Sequence, residues 1–329
     1  MRGEMMAGKA RAMPGVIESL SEGFAQINRV LWVILFPIGL DILLWRAPRL
    51  SAAPLASRWL GFIGELMAQY GGKPAAAGAG PLDAQSLEMA RRWVEGSPLY
   101  DLLSLLTWNL ANASVPTVVP SQRLDPTGVV EVDGLLLVFG LAVALQLIGL
   151  VLGCVYLGLI GQQVRDGQSD VRRLGTKVWR YWLSAVGFIG VVLGVILAIS
   201  VPLSLIVGVL TLVAPVLAAV IYGAVMVSAV FAGVWMLLYL FFLVDAIVVG
   251  DLGPLAAARS SILVVRRHFG ASLGLVGLIL LISLGMQVIW TALARQPWGL
   301  VLAIVGNAYI ASGLVAASML FYRNRATAK

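Results

Sequence analysis

Residues Leu135–Ile160 read LLLVFGLAVALQLIGLVLGCVYLGLI, a run without a single charged side chain. About 20 predominantly apolar residues in a helix are enough to cross the hydrocarbon core of a bilayer. The run is therefore predicted to be a transmembrane helix, and five more segments have the same character. They are Val30–Trp45, Tyr181–Ile206, Leu212–Val249, Ala271–Leu293 and Gly299–Tyr322. The sequence thus predicts an all-α membrane protein with six transmembrane helices.

The composition of the whole chain supports this prediction. Of the 329 residues, 60% are hydrophobic and 12% are charged, whereas soluble domains contain roughly 45–50% apolar and about 25% charged residues. One soluble core cannot enclose so much apolar surface, so lipid is expected to cover part of it. A single cysteine, Cys154, and a single histidine, His268, exclude an intrachain disulfide and leave too few ligands for ordinary zinc, haem or iron–sulfur sites. No cofactor or metal is expected.

The fourth apolar segment is unusually long for one span. Residues Leu212–Val249 would form a helix about 55 Å long at 1.5 Å per residue, well beyond the thickness of the core. Either one helix tilts and extends into the cytoplasm, or the segment contains two spans. A hidden turn would need polar or helix-breaking residues near the centre, and only Gly223 and Ser228 lie there. We therefore expect one long helix that starts near Pro215.

Basic residues predict the sidedness of the spans. The net charge is +7, and the basic residues flank apolar segments rather than forming a separate face. With the N-terminus inside, fifteen of the 23 Lys and Arg residues lie on the cytoplasmic side, whereas the short outer loops contain only Arg295. Both chain ends are thus predicted on the cytoplasmic side of a bacterial inner membrane. The basic residues are expected to bind anionic lipid headgroups, and nucleic acid is not expected because no recognition module is present.

The chain is predicted to divide into three parts of one membrane domain. Residues 1–46 hold an interface helix and the first span, which we expect to be retained rather than cleaved as a signal. Residues 47–133 form an extracytoplasmic helical insertion, too small and loosely patterned for an independent enzyme domain. Residues 134–329 hold spans two to six with two cytoplasmic amphipathic helices. Within the insertion, the pattern predicts helices at Ser57–Tyr70, Ala84–Val94 and Leu99–Leu110, a connector at Gly71–Pro81 and extended chain at Val115–Gly128.

An amphipathic helix precedes an outward span three times along the chain. Apolar residues recur at spacings of three and four, so each set lies on one helical face. The three sets are Val16, Leu20, Phe24, Ile27 and Leu31; Val171, Leu174, Val178 and Tyr181; and Leu255, Ala258, Ile262, Val265 and Phe269. Asp170 suits the N-cap of the second helix, and Pro254 suits the first turn of the third. The pattern predicts three repeats of an interface helix plus a two-span hairpin, although basic flanks alone give many membrane proteins a similar appearance.

The third of these helices belongs to a longer motif. Residues 243–269 read LVDAIVVGDLGPLAAARSSILVVRRHF: an apolar span, an acidic residue, Gly-Pro, then a helix with Ala, Arg and Ser before a basic–aromatic end. The pattern resembles a loose group of bacterial six-span membrane proteins, which includes the membrane domain attached to some glycerophosphodiester phosphodiesterases. The matching positions are Asp245, Asp251, Gly253, Pro254, Ala257, Arg259, Ser260, Arg266, Arg267 and Phe269. The resemblance implies a six-span fold but no phosphodiesterase activity, because these residues include no phosphodiesterase domain, and the insertion 47–133 departs from the group.

Polar side chains inside the spans are the candidate functional residues, because lipid solvates them poorly. Asp41 is the clearest of them. As a functional group it would bind a cation or relay a proton, and as a structural group it would pair with Arg46 or satisfy backbone groups freed by Pro37. The other candidates are Gln146, Gln287 and Asn307, in spans two, five and six. Hydrogen bonding between helices is their ordinary role, but together with Asp41 they would form a polar path.

Two further features of the sequence concern packing. Asp245, near the inner end of the fourth span, is expected to cap a helix or to pair with a basic residue of the third interface helix, such as Arg259. Small residues four positions apart permit close contact between helices. Such pairs occur at Gly149/Gly153, Gly190/Gly194 and Gly270/Gly274.

No catalytic motif is recognisable, since the chain has no Walker loop, dinucleotide fingerprint, zincin helix or hydrolase elbow. An enzyme is therefore not expected, and no catalytic residue is assigned. The favoured hypothesis is a non-catalytic membrane scaffold or accessory subunit, with a protein partner or a second copy of the chain bound to it. The alternative is a transporter or channel for a small solute or ion that uses the polar residues of the spans. A lipid-modifying enzyme ranks last, because no cluster of carboxylates is evident at one membrane face.

Overall fold

A computed structural model of the chain describes residues 14–70, 89, 101–107, 116–118, 128–168 and 171–327. The predicted connector Gly71–Pro81 and the predicted N-cap Asp170 lie outside the described residues. So do the predicted helix Ala84–Val94, apart from its residue 89, five of the twelve residues of the segment Leu99–Leu110, and most of the segment Val115–Gly128.

The described residues are almost entirely helical, as the sequence predicts. Helices α1 (Val16–Arg29) and α2 (Leu35–Arg46) are joined by a 3-10 turn at Leu31–Ile34. Helix α3 (Ala53–Tyr70) and a second 3-10 turn (Leu102–Leu106) belong to the predicted insertion. The remaining helices are α4 (Leu135–Asp166), α5 (Val171–Val213), α6 (Pro215–Tyr239), α7 (Leu243–Val248), α8 (Pro254–Arg267), α9 (Phe269–Leu293) and α10 (Pro297–Ala326).

Five helical segments among the described residues are long and apolar enough to cross a membrane. They are Leu135–Asp166, Lys177–Val213, Pro215–Val248, Phe269–Leu293 and Trp298–Ala326. Helix α1 and the segment Leu31–Arg46 meet the same criterion only as a pair, and they are bent by 90° at the junction. The chain therefore has the five or six apolar helices of a multi-pass membrane protein.

The long fourth segment is one apolar helix with a break near one end. Residues 212 and 213 belong to α5, and α6 begins at Pro215, as the sequence predicts. Helix α6 passes through Gly223 and Ser228 without interruption. It ends at Tyr239, where a turn leads into the short helix α7. The prediction of one span rather than two agrees with the single apolar segment Pro215–Val248. The turn before α7 was not predicted, because its residues are as apolar as the rest of the span.

Helix α1 lies against α10, at the opposite end of the sequence. Its buried residues are Ser19, Gly23 and Ile27, one helical turn apart, so they form a single narrow face. A Cβ atom on Gly23 would lie 2.6 Å from the backbone nitrogen of Ala317. The two helix backbones are therefore in direct contact at this point, which only a glycine permits.

Buried residues concentrate at one end of the helix bundle. The buried stretches are the second half of α4, the first third of α5, all of α7, one face of α8 and the last turns of α10. In contrast, Ala218 is the one buried residue in the described stretch from 189 to 240, which contains most of α5 and α6. The outer parts of α5 and α6 thus form a two-helix hairpin that packs mainly on itself.

A small parallel sheet joins the two ends of the insertion, which the sequence did not predict. Strand β1 (Arg49–Ser51) pairs with β2 (Val129–Glu131), and Ser51 also forms an isolated antiparallel bridge with Asp101. The amide of Arg49 donates to the Gly128 carbonyl at 2.9 Å. The insertion therefore begins and ends at the same place, so its length does not disturb the arrangement of the spans.

Helices α1 and α8 are closely similar in construction. Each has 14 residues and begins after an extended glycine, Gly15 or Gly253. Each ends at a residue of nearly the same conformation, Val30 (φ −134°, ψ 47°) or His268 (φ −127°, ψ 45°), and another helical segment follows. Their buried faces also occupy equivalent positions, with Ser19, Gly23 and Ile27 in α1 corresponding to Ala257, Ser261 and Val265 in α8.

The packed face of α8 differs from the predicted apolar stripe. Within that stripe, Leu255 and Phe269 are exposed, and Val265 alone is fully buried. The buried face consists of Ala257, Ser261, Val264 and Val265. Small residues allow the helix backbones to approach closely, so they occupy the packed face while the larger apolar side chains point outward.

Candidate functional site

Asp41 lies in α2 and is completely buried. Both of its carboxylate oxygens accept a hydrogen bond from the backbone N–H of Val118, at 2.9 and 3.2 Å. The carboxylate therefore fastens the stretch 116–118 of the insertion onto the first apolar segment, which is a structural role for an acidic residue in a span.

The other three polar residues of the predicted path lie in different environments. Gln146 of α4 and Asn307 of α10 are half-buried. Gln287 of α9 is exposed, between the exposed residues Leu284 and Val288. Because Asp41 is interior and Gln287 faces outward, these two side chains do not line a common interior cavity.

A second buried carboxylate, Asp245 of α7, lies among the inner helix ends. It accepts a hydrogen bond from the Ser318 hydroxyl of α10 at 2.5 Å, and both side chains are nearly inaccessible to solvent. The expectation that Asp245 pairs with Arg259 was wrong, because Arg259 lies on the exposed face of α8. The carboxyl group of Asp245 is thus bonded to a hydroxyl group from a distant span rather than to Arg259.

Two serines of α8 connect this region to neighbouring helices. The Ser260 hydroxyl is 2.6 Å from the Tyr322 hydroxyl of α10. The Ser261 hydroxyl donates to the Tyr239 carbonyl, at the end of α6, at 2.7 Å. The motif position Ser260 therefore has a packing role, since it helps to hold α8 against the last span.

The acidic and Gly-Pro positions of the motif form the turn before α8. Asp251 has a φ of 54°, an unusual conformation for a residue with a side chain. Arg180 of α5 holds it through an ion pair at 2.7 Å and a hydrogen bond to its carbonyl at 2.6 Å. Gly253 precedes the helix and Pro254 occupies its first turn. This part of the motif therefore builds the turn between α7 and α8.

The basic positions of the motif are directed outward. Arg259, Arg266 and Arg267 are exposed on α8. Anionic groups outside the bundle can therefore reach them. Among the residues that the structure describes, no group of three or more His, Cys, Asp or Glu side chains could hold a metal ion.

Sequence reasoning missed the residues that complete these contacts. Ser318, Tyr322 and Val118 are ordinary in the sequence, and each lies more than 60 residues from its partner. Arg325, at the end of α10, was counted only as one of the basic flanking residues, yet it is 6% exposed. Arg325 follows Phe321 by one helical turn. An aromatic residue at this spacing only weakly indicates that the basic side chain is buried, because solvent-exposed helices contain the same spacing.

Comparisons with protein-family models, with curated proteins and with solved structures found no match to this chain. The resemblance to the bacterial six-span group therefore stays a prediction from the motif. What the chain does must be inferred from its own geometry.

Proposed function

We propose that the chain is a non-catalytic membrane scaffold or accessory subunit that binds a protein partner or a second copy of itself. The observation that carries the proposal is the hairpin of α5 and α6. No charged residue occurs between Tyr181 and Val244. The large side chains of this hairpin are exposed on nearly all sides, including Leu212, Val213 and Val216 at its tip, which are 86%, 80% and 70% exposed.

The length of the hairpin argues that lipid alone does not cover it. Residues Tyr181–Val213 extend for about 50 Å at 1.5 Å per residue, against a hydrocarbon core of about 30 Å. Even at a tilt of about 40°, the upper end of the usual range, this helix spans about 38 Å along the membrane normal. The apolar tip would then leave the core. A protein surface that covers the tip removes this cost, since exposed apolar patches of such size typically mark interaction sites.

The transporter alternative has less support. It needs the polar span residues to converge, whereas Gln287 is exposed on α9 and Asp41 is bonded to the backbone of Val118. In the scaffold, buried polar groups of this kind join helices and loops, which is the observed role of Asp41 and Asp245.

We further propose that the chain has six spans and that the bent pair of α1 and Leu31–Arg46 forms the first of them. Both chain ends then lie on the same side, which agrees with the hydrogen bond from Arg325 to the Pro14 carbonyl at 3.2 Å. The distribution of basic residues favours the cytoplasmic side of a bacterial inner membrane for both ends. The basic helices would bind anionic lipid headgroups there.

Three repeats of an interface helix and a hairpin remain part of this proposal. The matched lengths, caps and buried positions of α1 and α8 support it. The second copy is a variation, since α5 continues from its amphipathic start into the span without a break. Helix α5 contacts the preceding span α4, and helix α8 contacts the preceding span α6. Helix α1, which has no preceding span, contacts the last span, α10. The likeness to the bacterial six-span group is proposed on the same grounds and brings no activity with it.

Photo-crosslinking in native membranes tests the scaffold. A photoreactive phenylalanine analogue at Val216, on the hairpin tip, is expected to form a discrete adduct with a protein. The matched control is Leu281 of α9, which is also apolar and 70% exposed; it is expected to form adducts with lipid. Lipid adducts alone at Val216 would contradict the proposal, because the tip would then need no protein cover.

A further inference from the structure

The guanidinium group of Arg325 is buried without enough acceptors. Arg325 lies in the last turn of α10 and is 6% exposed. Its Cζ atom lies 3.4 Å from the centroid of the Phe321 ring, and its Nη2 donates to the Pro14 carbonyl. The Nε and Nη1 atoms are buried, and no residue that the structure describes provides a hydrogen-bond acceptor for them. Burying a charged donor without a partner is costly, so this arrangement indicates that an acceptor is missing.

The surroundings of Arg325 are positively polarised. Pro14 directly precedes α1, whose N-terminal end carries the partial positive charge of the helix dipole. Burial, together with the positive charges of Arg325 and Arg267, lowers the pKa of His268 below its usual value of 6.5. The carboxylate in the first turn of α1 is that of Glu18, which is exposed and accepts the Gly15 N–H at 2.7 Å. One such carboxylate does not balance these groups.

A second unpaired donor lies next to His268. Ser272 of α9 is completely buried, and its hydroxyl has no hydrogen-bond partner in the part of the chain that the structure describes. The backbone N–H of Ser272 donates to the His268 carbonyl at 2.8 Å, so the two residues are one helical turn apart on α9. Helix α9 also lies close to the start of α1, because an added Cβ at Gly274 would lie 3.8 Å from the Val16 side chain. The helix ends in this region thus contain two kinds of donor without a described partner, a guanidinium and a hydroxyl. In native proteins, such buried groups are nearly always paired.

The missing acceptor can be described by its chemistry. A guanidinium offers parallel N–H donors that match the oxygens of a phosphate group, and helix N-termini stabilise the same anion. We propose that Arg325, His268, Ser272 and the N-terminus of α1 form a binding site for a phosphate group. The site lies at the start of α1 and at the junction of α8 with α9, at the membrane depth expected for lipid headgroups. The phosphate group therefore belongs either to a phospholipid or to a soluble phosphate compound. The proposal does not depend on the scaffold function.

The single histidine of the chain provides a direct readout. The measurement is the pKa of His268 by NMR on tag-free, histidine-labelled protein that has been stripped of lipid in a neutral detergent. Without ligand, the pKa is expected below 6.5. A phosphate bound beside the ring favours the charged imidazolium, so the pKa is expected to rise by about one unit.

Three additions distinguish the sources of the phosphate. Inorganic phosphate is titrated into the detergent solution, and separate samples are placed in nanodiscs of phosphatidylcholine alone or of phosphatidylcholine mixed with phosphatidylglycerol. A rise only with phosphatidylglycerol supports the site with a headgroup as its ligand. A rise with inorganic phosphate supports the site with a soluble ligand. If the pKa of His268 is the same in all three samples and in the ligand-free protein, the proposal is overturned.

Matched variants identify the residues responsible. Arg325→Gln retains a long polar side chain but removes the charge, and is expected to abolish the rise; Ser272→Ala is expected to reduce it. Arg266→Gln, on the exposed face of α8, is the control and should leave the rise unchanged. An equal rise in Arg325→Gln and in the unaltered chain would overturn the proposal.

Discussion

Replacing Gly23 by leucine is expected to separate α1 from α10 and to cause the largest loss of stability of any single substitution considered. A Cβ atom at this position would lie 2.6 Å from the backbone nitrogen of Ala317 and 2.7 Å from its Cα and Cβ atoms. Backbone atoms inside a helix cannot move aside individually, so the two helices must shift apart as a whole. The free energy of unfolding is expected to fall by about 3 kcal/mol, the upper end of the usual cost of overpacking.

The comparison that isolates this contact is Gly39→Leu. Gly39 lies in α2, is exposed, and has no atom within 4 Å of an added Cβ. Both variants add the same side chain to a helical glycine, so their effects on helix propensity cancel. The thermal unfolding midpoint in detergent is measured for both, together with the protease sensitivity of residues 16–29. Equal midpoints for the two variants would show that α1 is not seated on α10.

Removing the Ser318 hydroxyl is expected to have the second-largest effect. In Ser318→Ala, the buried carboxylate of Asp245 loses a donor that lies 2.5 Å away, and no water can replace it without opening the packing of α7 against α10. Leaving a buried polar group unsatisfied costs about 1–3 kcal/mol, and more when the group is charged. The thermal midpoint should therefore fall well below that of the unaltered protein.

A double-mutant cycle separates this hydrogen bond from simple loss of volume. Asp245→Asn removes the charge and keeps an oxygen that can accept from the hydroxyl. Adding Ser318→Ala to Asp245→Asn should cost less than adding it to the unaltered chain, because a neutral amide is less costly to leave unpaired. Ser283→Ala, at an exposed position of α9, serves as the control. Strictly additive effects of the two substitutions would contradict an interaction between Asp245 and Ser318.

The apolar helices were predictable because hydrophobicity is a property of each segment by itself. Pro215 and Pro254 begin α6 and α8 as expected, since proline suits the first turn of a helix. The 90° bend after α1 was not predictable, because Val30 and Leu31 are apolar residues like those of a continuous span. The turn that ends α6 was missed for the same reason.

The contacts that build the candidate sites were not predictable from the sequence, because they join distant residues. Asp41 is bonded to Val118, 77 positions away, and Gly23 meets Ala317 near the opposite end of the chain. Glycine spacing was only a partial guide. It identified Gly149, where an added Cβ would lie 2.5 Å from the Leu106 carbonyl oxygen, but not every predicted pair is in contact. An added Cβ at Gly190 or Gly194, a predicted packing pair, would meet nothing within 4 Å, whereas the isolated Gly23 is in close contact. Spacing identifies a helical face but not the partner that covers it.

The central claim is that the apolar hairpin of α5 and α6 is covered by protein. Its most direct test is the native mass of the particle that contains this chain, after extraction from its own membrane into lipid nanodiscs without detergent. We predict a discrete mass above 34.9 kDa plus lipid, equal to two copies or to one copy with a partner in fixed ratio. A population composed only of single chains with lipid would contradict the account.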